Sequence, residues 1–305
     1  MSLHLNAASK TDVGRQREQN EDACYTHIEV NDQKSSGIFI VADGMGGYHA
    51  GEVASQIAVT TISSALQNIM GPTSSQPTVR LRGRRQRGRD TRKATDEAAK
   101  TRPLTEELDQ DEPDSGATVQ LSESLIISHY SERLRQAIEE ASQSIVDYGE
   151  KHREAKGLGS TVTAALVIGE QVFIANVGDS RTYLLRDGKL SRVTTDHSLV
   201  ERLVEAGKLD RADVYDHPNR NLIYRSLGAG KSDVEVDIFT EKLKDGDVLV
   251  LCSDGLWEMV KDAQMESIIT EVTDLVETCD LLIQRANENG GEDNITVVLL
   301  RCVEG

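Results

Sequence analysis

Six acidic residues stand beside the most apolar stretches of this sequence, where an unpaired carboxylate is costly. They are Glu21, Asp22, Asp43, Asp179, Asp254 and Asp293. Asp43 and Asp254 each follow an apolar run and precede a glycine, while Asp293 comes just before the last apolar run. Because removing an unpaired carboxylate from water costs several kcal/mol, something cationic must offset that cost. The pattern therefore predicts a cation site built from residues that are far apart in the chain.

The ligand atoms indicate which cation such a site would hold. Asp-Gly is also a turn dipeptide, so "ADG" taken alone indicates no more than a turn. Only Arg17 and Arg181 lie beside the six acids in the sequence as ion-pair partners. All candidate ligands are oxygens, which favours Mg²⁺ or Mn²⁺ over zinc or copper. The glycines after Asp43 would let backbone carbonyls and a substrate approach the ion closely.

Arg17 indicates what such a site would act on. Its guanidinium, four residues before Glu21, has the bidentate geometry that suits a phosphoryl group. Two hard cations about 3.5–4 Å apart suit attack of water on phosphorus. These residues predict phosphoester hydrolysis, and a single structural cation is the alternative interpretation.

Composition narrows the class of protein. The chain has 305 residues and a net charge of −17, which argues against a nucleic-acid binder and suits a protein that holds cations. The cysteines Cys24, Cys252, Cys279 and Cys302 have neither zinc-ligand spacing nor a dense disulfide pattern, which is typical of a reducing compartment such as the cytoplasm. No apolar run reaches the roughly 20 residues that span a bilayer. We expect one domain over residues 1–305, with no membrane anchor.

The pattern of apolar residues predicts an α+β domain. Strands are predicted at Gly37–Ala42, Thr161–Ile168, Gln171–Val177, Thr182–Leu185, Val248–Cys252 and Asn294–Leu300. Asp187-Gly188 predicts a two-residue hairpin, so part of the sheet is antiparallel. Helices are predicted at Ala50–Ile69, Ser122–His152 and Asp274–Glu288. The first helix would bury Ala54, Ile57, Ala58, Thr61, Ala65 and Ile69. Strands grouped apart from helices indicate α+β layers rather than repeated βαβ units.

Residues 71–119 differ in composition from the rest of the chain. The segment begins with Pro, Ser and Thr, passes through "RLRGRRQRGRDTRK" and becomes acidic in "TEELDQDEPD". Few of its residues could bury apolar area, which predicts a disordered insertion. Because arginine clusters bind phosphates, a loop that is phosphorylated or that contacts nucleic acid is the alternative.

Eight segments, in this order, resemble motifs of the metal-dependent protein phosphatase family, type 2C, and in particular its compact bacterial members. They are "TDVGRQREQNEDA", "VADGMGGYHAGEVAS", "GSTVTAALV", "ANVGDSRTYLLRDGKL", "TTDHSLVERLVEAG", "HPNRNLIYRSLG", "LCSDGLWEMV" and "EDNITVV". The resemblance covers nearly the whole chain. It implies a β-sandwich of two mainly antiparallel sheets flanked by pairs of helices, with the metal site in a cleft at one edge. It also implies hydrolysis of phosphoserine and phosphothreonine in proteins by a metal-activated water.

The resemblance implies a binuclear centre of Mn²⁺ or Mg²⁺. Asp43 would bridge both ions and take part in catalysis, and the backbone carbonyl of Gly44 would help to hold one ion. Asp254 and Asp293 would complete the first metal site.

The remaining matches extend this centre. Glu21 would lie near the second ion through water, with Asp22 supporting it. Asp179 matches an acid that binds a third ion in bacterial relatives, and Arg17 matches the phosphate-binding arginine. Residues 197–227 resemble a mobile flap that shapes substrate access.

One position departs from part of the family. Where some relatives have a histidine as the proposed general acid, this chain has Met45, so a metal-bound water is expected to serve instead. His49 is a weaker candidate for that role. His197 is expected to be a helix cap or a flap contact rather than a catalyst.

The expected partners are phosphorylated proteins, including a Ser/Thr kinase or its targets, and the protein is expected to act as a monomer. A catalytically silent relative that only binds phosphoproteins is the alternative, but it would be expected to lack ligands that this chain retains. A nucleic-acid binder is a third hypothesis, and it rests only on the arginine-rich insertion.

Overall fold

The computed structural model describes residues 3–31, 34–47, 49–70, 122–230 and 233–305, together with the backbone of 78–79 and 119–120. Contacts divide the chain into two units, one made of Met1–Ser74 with Ile127–Gly305 and the other of Ser75–Ile126. The predicted insertion at 71–119 lies outside the described residues apart from two short paired strands, so its disorder stays a prediction. Among the described helices, none has the length and apolarity needed to cross a membrane.

Fourteen strands are described. They are β1 (Leu3–Asp12), β2 (Asp22–Asn31), β3 (Lys34–Met45), β4 (Thr78–Val79), β5 (Val119–Gln120), β6 (Gly159–Ser160), β7 (Val162–Ile168), β8 (Gln171–Val177), β9 (Arg181–Arg186), β10 (Lys189–Arg192), β11 (Leu227–Gly228), β12 (Asp237–Lys242), β13 (Val248–Cys252) and β14 (Ile295–Glu304). The predicted hairpin joins β9 to β10, with positive φ angles of 53° at Asp187 and 75° at Gly188.

The described residues also form six α-helices. They are α1 (Ala50–Met70), α2 (Glu123–Lys151), α3 (Leu199–Glu205), α4 (Asp254–Trp257), α5 (Asp262–Glu271) and α6 (Leu275–Glu288). Two short 3-10 helices cover Arg153–Ala155 and Arg211–Asp216. The three predicted helices are confirmed to within one residue at each end.

Two antiparallel sheets form the centre of the first unit. A five-stranded sheet has the order β1-β14-β13-β9-β10. A seven-stranded sheet has the order β11-β6-β3-β7-β8-β12, with β2 added on the free side of β3. The predicted α+β class with two mainly antiparallel sheets is confirmed.

The apolar side chains of β14 show how the layers are held together. Val298 and Leu300 join a core that contains Phe39 and Ile174 of the seven-stranded sheet, so this core lies between the sheets. The alternate residues of β14, such as Val297, pack with α5 and α6 on the opposite face. Because both faces of β14 are covered, its sequence is a continuous apolar run rather than an alternating one.

Helix α1 packs on β3 with a face that differs slightly from the predicted one. Ala54, Ala58 and Ile69 are buried as predicted, but Ile57, Thr61 and Ala65 are only half-buried. The buried stripe instead runs through Ala58, Ile62 and Leu66, which lie four residues apart. Apolar residues also lie on the neighbouring stripes of α1, so the sequence pattern was compatible with more than one buried face of the helix.

Two glycines allow α1 to approach β3 and the Glu21 segment. A Cβ atom on Gly44 would overlap the carbonyl oxygen of Gly51 and would lie 2.6 Å from the carbonyl oxygen of Glu21. A Cβ atom on Gly51 would lie 2.6 Å from Glu21 Oε1 and 2.8 Å from the carbonyl oxygen of Gly44. These backbones therefore meet only because neither residue carries a side chain.

Substituting Gly44→Ala should lower the free energy of unfolding by about 1–3 kcal/mol, because the added methyl group overlaps backbone atoms that cannot move independently. Urea denaturation measures this change. Gly47→Ala is the matched control, since a Cβ there meets nothing within 4 Å. Equal unfolding midpoints for the two variants would contradict this packing.

Candidate metal centre

Strand pairing brings Asp22 and Asp43 together. They are opposite residues in the β2–β3 register, and the amide of Gly44 donates to the carbonyl of Glu21 at 3.1 Å. The prediction that this strand ends at Ala42, just before Asp43, is wrong by three residues. β3 continues to Met45 because Gly44 and Met45 pair with β6.

Hydrogen bonds fix the backbone of Asp43. Its amide donates to Thr161 Oγ1 at 3.2 Å, and its carbonyl accepts from the amide of Thr161 at 2.8 Å. Ser160 Oγ also donates to that carbonyl at 3.0 Å. The carboxylate of Asp43 thus extends from a backbone position that neighbouring strands hold in place.

Asp254 and Asp22 each carry a buried carboxylate oxygen that has no hydrogen-bond partner. Asp254 opens α4 directly after β13, is 8% exposed and leaves Oδ1 unpaired. Asp22 Oδ2 accepts from Ser253 Oγ at 2.7 Å, but its Oδ1 is also unpaired. Such atoms are rare in proteins and indicate a missing partner.

Asn294 holds the segment that carries Arg17 and Glu21. Its Oδ1 accepts from the amide of Glu21 at 2.8 Å, and its Nδ2 donates to the carbonyls of Val13 and Gln19. Sequence reasoning did not identify this residue, although it directly follows Asp293. An amide side chain that makes three such bonds is a positioning group.

Arg17 lies over Asp293 rather than free in the cleft. Its Nη2 donates to Asp293 Oδ2 at 2.5 Å. Burial alone would lower the pKa of Arg17, but the carboxylates of Asp293, Asp254 and Asp43 raise it overall. Carboxylates from three separate segments of the chain therefore act on the pKa of Arg17.

The acids raise one another's pKa values. Burial, followed by the negative charges of Asp254 and Asp22, raises the pKa of Asp43 well above its usual value. Burial and the charges of Asp179 and Glu258 do the same to the pKa of Asp254. The negative charge of each acid thus acts on the pKa of the others, which places these acids within electrostatic range of one another.

The other predicted ligands belong to the same cluster. Burial is the main reason why the pKa values of Asp22 and Asp179 rise to about 7. Burial also raises the pKa of Glu21, while the charge of Arg17 lowers it in part. The backbone carbonyl of Asp179 accepts from Trp257 Nε1 at 2.9 Å, which ties the β8–β9 turn to α4.

Glu258 is an acid that sequence reasoning missed. It lies four residues after Asp254, with a nearly buried side chain whose Oε1 has no hydrogen-bond partner. Arg220 Nε donates to its Oε2 at 2.9 Å. The spacing of four residues from Asp254 was the available signal, since it places both acids on one side of a helical turn.

The cluster fits a divalent cation. Its ligand atoms are all oxygens, and three of them, on Asp22, Asp254 and Glu258, are buried and have no hydrogen-bond partner. Glu21 Oε1 and the carbonyl oxygen of Gly44 both face the point that a Cβ of Gly51 would occupy. Within the described ranges, however, no three His, Cys, Asp or Glu side chains are already gathered as a ligand set. Uncompensated carboxylates repel one another, and Arg17 holds Asp293, so binding a cation requires side-chain rearrangement.

His49 and His197, the two histidines considered above, have structural rather than catalytic surroundings. His49 is exposed, with its ring beside Gln19 and Glu52. His197 is buried, its Nδ1 accepts from the amide of Gly178 at 3.0 Å, and its Nε2 lies 3.1 Å from Asp237 Oδ2 and 2.9 Å from Arg225 Nη1. Of the two structural roles expected for His197, the helix cap belongs instead to Ser198, which caps α3.

The predicted flap, residues 197–227, contains α3 and the second 3-10 helix. An isolated bridge between Ser198 and Ile223 closes the segment on itself, and the ring of Tyr224 lies 5.9 Å from that of His197. His197 therefore contacts the flap, as expected. The mobility of this segment stays a prediction.

Comparison with known proteins agrees with this arrangement. A family model described as Protein phosphatase 2C matches residues 13–293. The serine/threonine phosphatase stp of Listeria welshimeri serovar 6b is 36% identical over 296 residues, which cover 97% of this chain and 95% of that protein.

Solved structures show the same fold. The crystal structure of the Mycobacterium tuberculosis serine/threonine phosphatase PstP/Ppp has a TM-score of 0.72 at 28% identity and covers 99% of each chain. A structure of the PstP catalytic domain in complex with two manganese ions has a TM-score of 0.70 at 27% identity, covering 99% of this chain and 100% of that chain. The predicted sandwich and the predicted protein serine/threonine phosphatase are thereby confirmed. This chain belongs to the protein phosphatase 2C family.

Proposed function

We propose that this protein hydrolyses phosphoserine and phosphothreonine in other proteins at a centre that holds two Mn²⁺ or Mg²⁺ ions. The observation that carries the proposal is that carboxylates from three separate segments, Asp43, Asp254 and Asp293, lie within electrostatic range of one arginine, Arg17. The names of the relatives, and the two manganese ions in the structure of PstP, support it.

Some residues of the cluster would bind the ions, and another would bind the substrate. Asp43, Asp254 and Asp293, with the carbonyl of Gly44, would hold the ions, and Glu21 would support them. When bound, such ions neutralise phosphoryl oxygens and lower the pKa of water.

Arg17 would bind the phosphoryl group of the substrate. It already lies on the acidic cluster, and half of its side chain is exposed. A phosphate dianion offers it two acceptor oxygens in a bidentate arrangement. Arg17 would therefore exchange Asp293 for the substrate.

The proposed substrates and cellular compartment are those expected from the sequence. The substrates would be phosphorylated proteins in the cytoplasm, including a Ser/Thr kinase or its targets. A catalytically silent relative is less well supported, because Arg17, Asp43, Asp254 and Asp293 are all present and lie in one cluster.

Asp254→Asn should reduce phosphopeptide hydrolysis at saturating Mn²⁺ by at least about a hundredfold, since a ligand charge is lost. In chelator the same variant should melt at a higher temperature than the wild type, because one repelling buried carboxylate is gone. Its stabilisation by Mn²⁺ should be smaller. Thermal melting with and without Mn²⁺ checks both effects.

Asp187→Asn is the matched control for that experiment, because Asp187 is exposed at a hairpin tip where asparagine is equally suited. An Asp254→Asn protein with unchanged activity and an unchanged Mn²⁺ shift would refute the proposed centre.

Arg17→Gln should lower kcat/KM for a phosphopeptide by about ten- to a hundredfold, because a charge-assisted bidentate contact is lost. Affinity for Mn²⁺ should not weaken, since the variant frees Asp293 from its ion pair. The control is Arg15→Gln, which removes an exposed arginine two residues away. Steady-state kinetics and a Mn²⁺ titration separate the two effects, and equal kcat/KM values for both variants would argue against phosphate binding by Arg17.

A further inference from the structure

A cavity of about 330 Å³ lies outside the acidic cluster, beside the predicted flap. Its lining residues come from β9, β10, the second 3-10 helix and α5, and they are Arg181, Arg192, Arg211, Val214, Tyr215 and Asp262. Small-molecule sites typically measure about 300–1,000 Å³, so the cavity can hold a small ligand. Three of its four charged lining residues are arginines, which favours an anion.

Two buried carboxylates hold these arginines in place. Asp196 accepts from Arg181 Nε at 3.0 Å and from Arg181 Nη2 at 2.6 Å. Glu201 Oε1 accepts from both Arg192 and Arg211 at 2.8 Å. The guanidinium groups are therefore already ordered, and a ligand would lose little side-chain entropy on binding them.

The three lining arginines are matched by the carboxylates of Asp196, Glu201 and Asp262, so groups of both charges are ordered around the cavity. Burial alone would raise the pKa of Glu201, yet hydrogen bonds from Arg211 and Arg192 lower it below its usual value. Arg192 Nη1 is buried and has no hydrogen-bond partner, although it lies 3.2 Å from an oxygen of Asp196 in an ion pair.

We propose that this cavity binds a phosphoryl group, from either inorganic phosphate or a phosphorylated peptide, as a second anion site. Fixed guanidinium groups match the oxygens of a tetrahedral dianion better than a lysine cluster would. Asp262 opposes an anion at the exposed rim, where its carboxylate accepts from Tyr183 at 3.2 Å. This binding goes beyond the proposed function and does not depend on catalysis.

The cavity is connected to the acidic cluster through Trp257. The Arg181 guanidinium lies 3.4 Å above the Trp257 ring, and Trp257 Nε1 donates to the carbonyl of Asp179 at 2.9 Å. Arg211 belongs to the predicted flap, whereas Arg181 belongs to the central sheet. A bound anion would therefore join the flap to the sheet beside a candidate metal ligand.

Fluorescence of Trp257, the only tryptophan in the chain, reports on the cavity. Inorganic phosphate is titrated into the full chain at saturating Mn²⁺ and constant ionic strength. Arg211→Gln should weaken the phosphate-dependent change by at least about tenfold, because an ordered guanidinium is lost. Asp262→Asn should tighten it by about threefold or more, because a repelling carboxylate is removed. Both side chains are exposed, so both variants should fold.

Lys208→Gln is the matched control, since it removes an exposed positive charge from the same segment outside the cavity. Peptides with one and with two phosphoserines distinguish the two sources of phosphate. A lower KM for the doubly phosphorylated peptide that Arg211→Gln abolishes would assign the site to substrate, and equal KM values with retained phosphate binding would assign it to free phosphate. The proposal fails if Arg211→Gln titrates like Lys208→Gln, or if Asp262→Asn binds no tighter.

Discussion

The structure depends on one constraint, which is the electrostatic repulsion among carboxylates that are buried near one another. Strand pairing sets Asp22 opposite Asp43, and the end of β13 adds Asp254. The sheets fix the backbone positions of these acids, so only their side chains can turn away from one another. The free energy of the sandwich core thus holds negative charges together that would separate in water. A divalent cation is the simplest group that would offset this repulsion and stabilise the arrangement.

Glu201 shows the pKa of a buried acid whose charged partners are supplied by the chain itself. Glu201 is nearly buried, yet Arg192 and Arg211 keep its pKa below the usual value. Asp43 and Asp254 have raised pKa values, and Arg17 is engaged with Asp293. The difference marks the acidic cluster as the place where charge compensation must come from outside the chain. Around it, Asn294, Thr161 and Ser253 fix the backbone and leave carboxylate oxygens free.

Sequence reasoning succeeded where burial is complete and failed where it is partial. Strands such as β13 are covered on both faces, so their apolar runs were recognisable. β1, β2 and β12 were missed, and each pairs with a single neighbour in the described sheets. Edge strands are half-exposed and mixed in composition, which removes the apolar signal. The acids were identifiable because they interrupt apolar sequence, whereas Glu258, Asn294 and the arginine cavity depend on contacts that only the folded chain creates.

Anomalous diffraction at the manganese edge, from a crystal grown with Mn²⁺, tests the central claim most directly. We expect two anomalous peaks within the cluster, with oxygens of Asp43, Asp254 and Asp293 as ligands and Arg17 displaced from Asp293. A map without a peak among these residues, with their carboxylates turned away from one another, would contradict the account.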